Sequence, residues 1–304
     1  MKLCVLGGVN WDIIAHVDAL PLPGETIKAR AVTENVGGKA LNQAVAAARY
    51  GASVMLLGGI GDDAPGRRLR RFLDENSVDQ RHVRTFENVP TGTAHIHLAS
   101  DGENMIVVHA GANDLYGAGE VPVSDLGDCG VFLTQFEATS PAINALFQSA
   151  SARQGTRILN AAPALVSERP LLDLADILVV NETELARFAD SANALDTRDA
   201  VATAARTLMI RRDQAVVVTL GAQGCLLVQH ETADSVAALK VPVVDTIGAG
   251  DCFCGVLAAG LCEGKPLILA LREANAAAAF SVAHHGAAAS APTREEVAVL
   301  RSGS

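Results

Sequence analysis

The chain has 304 residues, of which 49% are apolar and 4% are aromatic, and its formal net charge at pH 7 is −10. This length and apolar content are typical of a large α/β enzyme built around one sheet. The negative charge argues against nucleic acid and anionic membranes as partners, and no apolar run approaches the roughly 18 residues of a membrane span.

Short apolar runs rich in Val, Ile and Leu recur along the chain, and most of them lie next to a segment with a helical pattern. This alternation is typical of parallel βαβ units. The predicted strands are Lys2–Gly7, Ser53–Gly58, Gly130–Phe136, Thr156–Asn160, Asp176–Val180 and Ala215–Leu220. The predicted helices are Leu41–Tyr50, Gly66–Glu75, Asp199–Ile210, Asp251–Glu263 and Leu271–His284. We therefore expect one α/β domain over residues 1–304, with a doubly wound, mostly parallel sheet flanked by helices.

Two stretches interrupt this alternation. Asp12–Thr33 contains two prolines, and within Thr91–His109 apolar and polar residues alternate up to a turn at Asp101-Gly102. Strands from two separate inserts can form a small sheet over the carboxyl ends of the parallel strands, where α/β folds bind ligands. We therefore predict a small β-sheet lid from residues 12–33 and 91–109.

Polar residues near the first strand and the first helix form a candidate site for a polyol. Lys39 and Asn42 lie one helical turn apart, beside Gly38, where the backbone allows a close approach. Asn10 and Asp12 follow the first strand and would supply hydrogen-bond acceptors for the same polyol. Alternatively, Lys39 and Asn42 are solvated residues of a first helical turn. The segment lacks the spacing of a P-loop and of the Rossmann fingerprint.

Asn181 and Glu184 follow a predicted strand and begin a helix. Their spacing is that of a capping box, in which each side chain bonds the backbone of the other residue. They are also candidates for an acidic site that holds water ligands of Mg²⁺ near ATP phosphates. The two roles are compatible.

The strongest local signal is the segment 245–251 (DTIGAGD), which joins a strand end to an apolar helix. Gly248, Ala249 and Gly250 would leave free N–H groups at the helix N-terminus, where they can hold the negative charge of a phosphoryl group in transfer. Asp251 would then accept a proton from the attacking hydroxyl group. Asp is also a good helix cap, and the spacing alone leaves both roles open.

Residues 37–48 (GGKALNQAVAAA) and 245–251 resemble the two signatures of ribokinase-like (PfkB) sugar kinases, in the same order and at a similar separation. The segments 91–93, 102–104, 109–113, 181–184 and 219–221 extend the resemblance over nearly the whole chain. The resemblance implies a kinase that uses ATP and Mg²⁺ to phosphorylate a primary hydroxyl group of a small sugar, with ribose favoured. It also implies a homodimer formed through the lid.

The resemblance gives each matching position a role. The residues expected to bind the sugar are Asn10, Asp12, Gly38, Lys39, Asn42 and Glu137. Asp251 would be the catalytic base, and Gly248, Ala249 and Gly250 would form the anion hole. Asn181 and Glu184 would serve the Mg²⁺ and phosphate region, and the nucleotide pocket would be lined by Thr219, Gly221, Gly224 and Asn275. A monovalent-cation site, with K⁺ as the expected ion, would comprise Asp245, Ser290 and backbone carbonyls near Ile247, Val282, His285 and Gly286.

The chain departs from the family pattern near the sugar. Trp11 stands where small residues are usual, and Ala40-Leu41 replaces Gly-Ala. Trp11 would narrow the pocket, stack on a sugar or base, or pack beneath the lid. Fructose, another sugar or a nucleoside are therefore alternative substrates. A sugar sensor without catalysis is a further alternative, although Asp251 and the anion-hole segment argue against it.

The six cysteines lack the spacing of a disulfide framework or a zinc site. Reduced thiols and the lack of a signal-peptide pattern predict a cytoplasmic location.

Overall fold

The computed structural model describes residues 1–190 and 195–302, with strands and helices numbered here in chain order. The nine strands of the larger sheet are β1 (Lys2–Leu6), β4 (Val54–Gly61), β5 (Asp79–Phe86), β8 (Cys129–Gln135), β9 (Thr156–Asn160), β10 (Ile177–Asn181), β11 (Ala215–Thr219), β12 (Cys225–Val228) and β13 (Ala233–Val236). The smaller sheet contains β2 (Asn10–Val17), β3 (Ala31–Gly37), β6 (Gly92–Ala99) and β7 (Asn104–His109). The helices are α1 (Lys39–Arg49), α2 (Ala64–Glu75), α3 (Ser140–Ala152), α4 (Glu182–Phe188), α5 (Arg198–Arg206), α6 (Ala249–Cys262), α7 (Leu267–Val282) and α8 (Arg294–Ser302).

The larger sheet has the strand order β13-β12-β11-β10-β9-β8-β1-β4-β5. All neighbouring strands run parallel except at one edge, where β12 is antiparallel to both β11 and β13. From β1 the chain proceeds to β4 and β5 on one side and returns through β8 to β11 on the other. The crevice beside the carboxyl ends of β1 and β8 is therefore the switch point at which such sheets bind ligands.

Apolar cores cover both faces of this sheet. One contains buried residues of α1, α2, α6 and α7, and the other contains buried residues of α3, α4 and α5. The strands between them read as near-continuous apolar runs because both of their faces are covered. The predicted α/β class, with a mostly parallel, doubly wound sheet and a second small sheet, is confirmed.

The smaller sheet has the order β3-β2-β6-β7 and draws its strands from the two predicted inserts. Its strands reach beyond the first insert, to Asn10 at one end and Gly37 at the other. The predicted turn before β7 is present, with Gly102 at φ 91° and the Asp101 carboxylate accepting the Glu103 N–H at 3.0 Å.

Within the described ranges, no helix combines the length and the apolar character required to cross a bilayer.

Candidate active site

The site lies at the carboxyl ends of the parallel strands, and the turn after β1 forms its floor. A side chain at Gly8 would overlap the Glu137 carboxylate, and one at Gly38 would overlap the Gly8 carbonyl oxygen. Gly38 also has φ 90°, which glycine adopts readily. Gly8, Gly38 and Glu137 are therefore in close contact, and the first glycine-rich motif folds against the end of β1.

Glu137 and Asp12 place two carboxylates around Lys39. Glu137 accepts the backbone N–H of Lys39 at 2.9 Å, and the Asp12 carboxylate lies directly against Gly37. Burial raises the pKa of Glu137. Burial also raises the pKa of Asp12 to about 7, an effect strengthened by the negative charges of Glu137 and Asp251 and opposed by Lys39.

The Lys39 ammonium is held in its charged form. The negative charge of Asp251 is the largest influence that raises its pKa, and Glu137 and Glu184 add to it, while burial opposes them. Lys39 is therefore not a solvated residue of a first helical turn. It supplies positive charge to a group of carboxylates.

Asn10 is buried, and its side chain is oriented by Asn113. The Asn113 amide donates to Asn10 Oδ1 at 2.8 Å, and its oxygen accepts the Val9 N–H at 3.0 Å. This contact occupies the Asn10 oxygen, which the sequence predicted to accept from the polyol, and leaves its NH₂ group to act as a donor.

Asp251 lies in the first turn of α6 and is 7% exposed. It is not the cap of that helix, because the N-cap residue is Gly248 and no side chain caps the helix. Instead, its two carboxylate oxygens accept hydrogen bonds from the Asn42 and Gln43 amides of α1, both at 3.0 Å. The two signature motifs therefore meet at this carboxylate.

A cavity of about 140 Å³ opens beside Asp251. Gly248 adopts φ 76° at the start of α6, and a side chain there would overlap Ala287. An added Cβ at Gly250 would have open space around it. The residues that line the cavity are Lys39, Asn160, Ala162, Val179, Val180, Asn181, Glu184, Thr219, Gly248, Gly250, Asp251 and Cys254. The helix N-terminus, the ammonium of Lys39 and the carboxylate thus face one space.

Asn181 and Glu184 form the predicted capping box at the start of α4. Each side chain accepts the backbone N–H of the other residue, both at 2.8 Å. Both residues also line the cavity, and burial raises the pKa of Glu184. A single carboxylate at this position suits Mg²⁺, which keeps most of its waters when it binds protein.

The four residues predicted to bind nucleotide do not all line one cavity. Thr219 lines the cavity beside Asp251. Gly224 and Asn275 lie together at the end of β13, since the Asn275 amide donates to Val236 O at 2.9 Å and a side chain at Gly224 would overlap the same oxygen. Asn275 and Val236 line a second cavity of about 330 Å³. Gly221, with φ 53°, lies in the turn between β11 and β12.

The residues predicted for a monovalent cation are also drawn together. Asp245 accepts the N–H groups of Ile247 at 2.9 Å and Gly286 at 3.0 Å, so that it joins two loops. Buried Ser290 donates to Ala287 O, and His285 adjoins Gly286. The Val282 carbonyl accepts the N–H groups of Val244 and Asp245 and would have to release one of them to bind an ion. The remaining carboxylate, hydroxyl and carbonyl oxygens are the type of ligand atom that binds K⁺.

Trp11 points away from the residues predicted to bind the sugar. It alternates with Asn10 and Asp12 along β2, is 7% exposed, and packs in the main core with Arg68 over its ring at 5.3 Å. Of the roles considered for Trp11, packing is the one observed. All six cysteines are free and buried.

Three amide side chains of this region were not predicted as site residues: Gln43, Asn113 and Asn160. Gln43 lies inside the first motif, and Asn160 ends a predicted strand, where side chains reach the ligand edge of the sheet. These positions in the sequence are the features from which Gln43 and Asn160 could have been predicted as site residues. Each of the three has a partner more than 100 residues away in the chain.

Known proteins are similar to this chain along nearly its whole length. A family model described as pfkB family carbohydrate kinase matches residues 1–294. The chain is 35% identical to a ribokinase of Haemophilus influenzae, covering 97% of this chain and 96% of that protein. It is 31% identical to a deoxyribokinase of Salmonella typhi, covering 97% of each.

The fold is similar to that of solved relatives. The structure of Arabidopsis thaliana ribokinase complexed with ribose and ATP matches with a TM-score of 0.88 and 32% identity, covering 98% of each chain.

Proposed function

This chain belongs to the pfkB family of carbohydrate kinases, and we propose that it transfers the γ-phosphate of ATP to the primary hydroxyl group of ribose. The family confirms the resemblance seen in the sequence, and the chain is an ATP-dependent sugar kinase. The observation that carries the proposal is the Asp251 carboxylate, which lies beside a helix N-terminus and is bonded by two amides of the first motif. Relatives named ribokinase support ribose as the sugar.

In this proposal the sugar is held between the two motifs. Asn10 donates hydrogen bonds to the sugar, and Asp12 and Glu137 accept hydrogen bonds from its hydroxyl groups. The backbone of Gly38 and the side chains of Lys39 and Asn42 complete the set. Asp251 accepts the proton of the attacking sugar hydroxyl group. The hydroxyl oxygen forms a bond to the γ-phosphorus while the bond between that phosphorus and the ADP oxygen breaks. The N–H groups of residues 248–250 stabilise the charge on the transferred phosphoryl group.

The nucleotide lies along the ends of β10 and β11. Asn181 and Glu184 would hold water ligands of the Mg²⁺ that accompanies ATP, and that ion would neutralise phosphate charge. Thr219, Gly221, Gly224 and Asn275 would contact the nucleotide itself.

We propose K⁺ for the oxygen cluster around Asp245, with Ser290 and the carbonyl groups of Ile247, His285 and Gly286. A bound K⁺ would fix the shape of the loop that leads to Gly248. Assays in potassium, sodium and tetramethylammonium chloride at equal ionic strength test this role. Equal rates in the three salts would remove the ion from the proposal.

We also propose that the chain is a single kinase domain, that its small sheet is a lid which closes over the sugar, and that it forms a homodimer through this sheet in the cytoplasm. Closure would exclude water and favour transfer to the sugar over ATP hydrolysis.

An assay of ADP release with a panel of acceptors tests the substrate. We expect the highest kcat/KM with ribose, and lower values with 2-deoxyribose, fructose and nucleosides. A higher value with 2-deoxyribose would favour the activity for which the Salmonella typhi relative is named. No ADP release with any acceptor would contradict the proposal.

Asp251→Asn tests the catalytic base. We expect kcat to fall by about two or more orders of magnitude, because the amide cannot take the proton. Binding of ribose and ATP, measured by calorimetry, should persist. A kcat near that of the unchanged protein would exclude Asp251 as the base.

A further inference from the structure

The catalytic carboxylate has two amide partners with different surroundings. Asn42 Nδ2 donates to one Asp251 oxygen and Gln43 Nε2 to the other. Asn42 is 7% exposed, whereas Gln43 is 0% exposed. Asn42 Oδ1 and Gln43 Oε1 both lack a hydrogen-bond partner in the part of the chain that is described, but only Asn42 is expected to contact the sugar. Asn42 is therefore able to exchange partners when sugar binds, but Gln43 cannot reach a ligand.

Two hydrogen bonds hold the side-chain nitrogen of Gln43. Its Nε2 also donates to Asn160 Oδ1 at 3.2 Å, at the end of β9. A carboxylate oxygen accepts hydrogen bonds and cannot donate them when ionised, so the nitrogen of the Gln43 amide must face Asp251. The amide therefore ties the carboxylate to the sheet.

The crossing of two helices keeps Gln43 in place. Gly255 lies one turn after Asp251 on α6, and a side chain at Gly255 would overlap the Gln43 carbonyl oxygen. This close approach sets α1 against α6 at the position where the Gln43 side chain meets Asp251.

We propose that Gln43 is a positioning residue. It keeps the Asp251 carboxylate oriented toward the attacking hydroxyl group throughout the reaction. The inference rests on the proposed function, in which Asp251 is the base. A small misplacement of a reacting group can lower a rate by about 10²-fold, so loss of this donor should act on kcat and leave substrate affinity nearly unchanged.

Gln43→Met tests the role, because methionine fills a similar volume and donates no hydrogen bond. We expect kcat to fall about 10- to 100-fold, with KM for ribose and for ATP changed by less than about threefold. The matched control is Gln214→Met. Gln214 is also 0% exposed, but its amide bonds Leu172 O and Ala175 O near the amino end of β11. The control should lower thermal stability and leave kcat unchanged.

A double-mutant cycle separates positioning from a general structural effect. If Gln43 acts through Asp251, adding Gln43→Met to Asp251→Asn should lower the residual rate by less than about twofold. An equal loss of rate in both backgrounds would overturn the proposal.

Gln43→Glu gives a second variant of similar volume. It places another carboxylate against Asp251, and we expect kcat at pH 8 to fall at least as far as in Gln43→Met. A folded variant with unchanged kcat would overturn the proposal, and so would failure of both variants to fold, which would assign Gln43 to stability alone. Loss of the proposed function is a separate result, since it would appear as an inactive unchanged protein or an active Asp251→Asn.

Discussion

Asp12 is a carboxylate whose protonation should control sugar binding near neutral pH. Its pKa of about 7 results from burial and from the nearby charges of Glu137 and Asp251, against the opposing charge of Lys39. A protonated Asp12 accepts fewer hydrogen bonds from sugar hydroxyl groups. We therefore expect kcat/KM for ribose, measured at saturating ATP, to fall about tenfold per pH unit below pH 7 and to level off above it.

The variant Asp12→Asn supplies the control for this pH dependence. Its kcat/KM should be lower at pH 8, and the step near pH 7 should disappear, because the amide does not titrate. Glu137 and Glu184 also have raised pKa values, so a step that survives in the variant belongs to another carboxylate of the site. An unchanged protein whose step has its midpoint below pH 5 would show that Asp12 binds sugar with an ordinary pKa.

Part of the site follows from the sequence because its residues lie in short motifs. Gly248, Gly250 and Asp251 occupy one turn, and their spacing alone suggested an anion site. The roles of Gln43 and Asn113 depend on partners that the chain brings together only by folding. A buried amide in a helix or a loop looks like any other polar residue until its partner is known.

At the level of elements, the crossing of α1 and α6 should be sensitive to a single methyl group. An added Cβ at Gly255 would overlap the Gln43 carbonyl oxygen and lie 2.9 Å from Ala46 Cβ. We expect Gly255→Ala to lower the free energy of unfolding by about 1 to 3 kcal/mol, because overpacking forces the helices apart. Denaturant unfolding measures the change.

Gly250→Ala is the matched stability control for the same helix. An added Cβ at Gly250 would meet no heavy atom within 4 Å, and alanine is favoured over glycine in helices by roughly 0.5 to 1 kcal/mol. Its stability should therefore be unchanged or slightly higher. Equal destabilisation by both substitutions would contradict a specific close crossing at Gly255.

The elements predicted well are those buried on both faces, because they read as long apolar runs. All six predicted strands and five predicted helices are present. Two of the missed strands lie at the edges of the sheet, and the third, β12, is buried but only four residues long. β5 has a mostly polar sequence and β13 is largely exposed, so neither shows the apolar run that marks a central strand. α3 did carry a signal, since Thr139 caps it and a proline follows.

For the whole molecule, the small sheet leaves an apolar edge strand exposed. Ile14, Ala94 and Ile96 form a buried cluster on one face of this sheet. Beyond them, all six residues of β7 are exposed, including Val107 at 62% and Val108 at 53%. An edge strand with unpaired backbone groups and apolar side chains is a site at which another chain can pair.

Val108→Glu tests the homodimer proposed through this surface. Light scattering should give twice the mass of one chain for the unchanged protein and the mass of one chain for the variant, because a charge would be buried without a partner. Ile96 is unsuitable for the test, since it is 6% exposed and its substitution would disturb the sheet itself. Ile210→Glu is the control, as Ile210 is 64% exposed and lies outside the small sheet; this variant should remain dimeric. A monomeric unchanged protein, or a dimer that survives Val108→Glu, would place the interface elsewhere or exclude it.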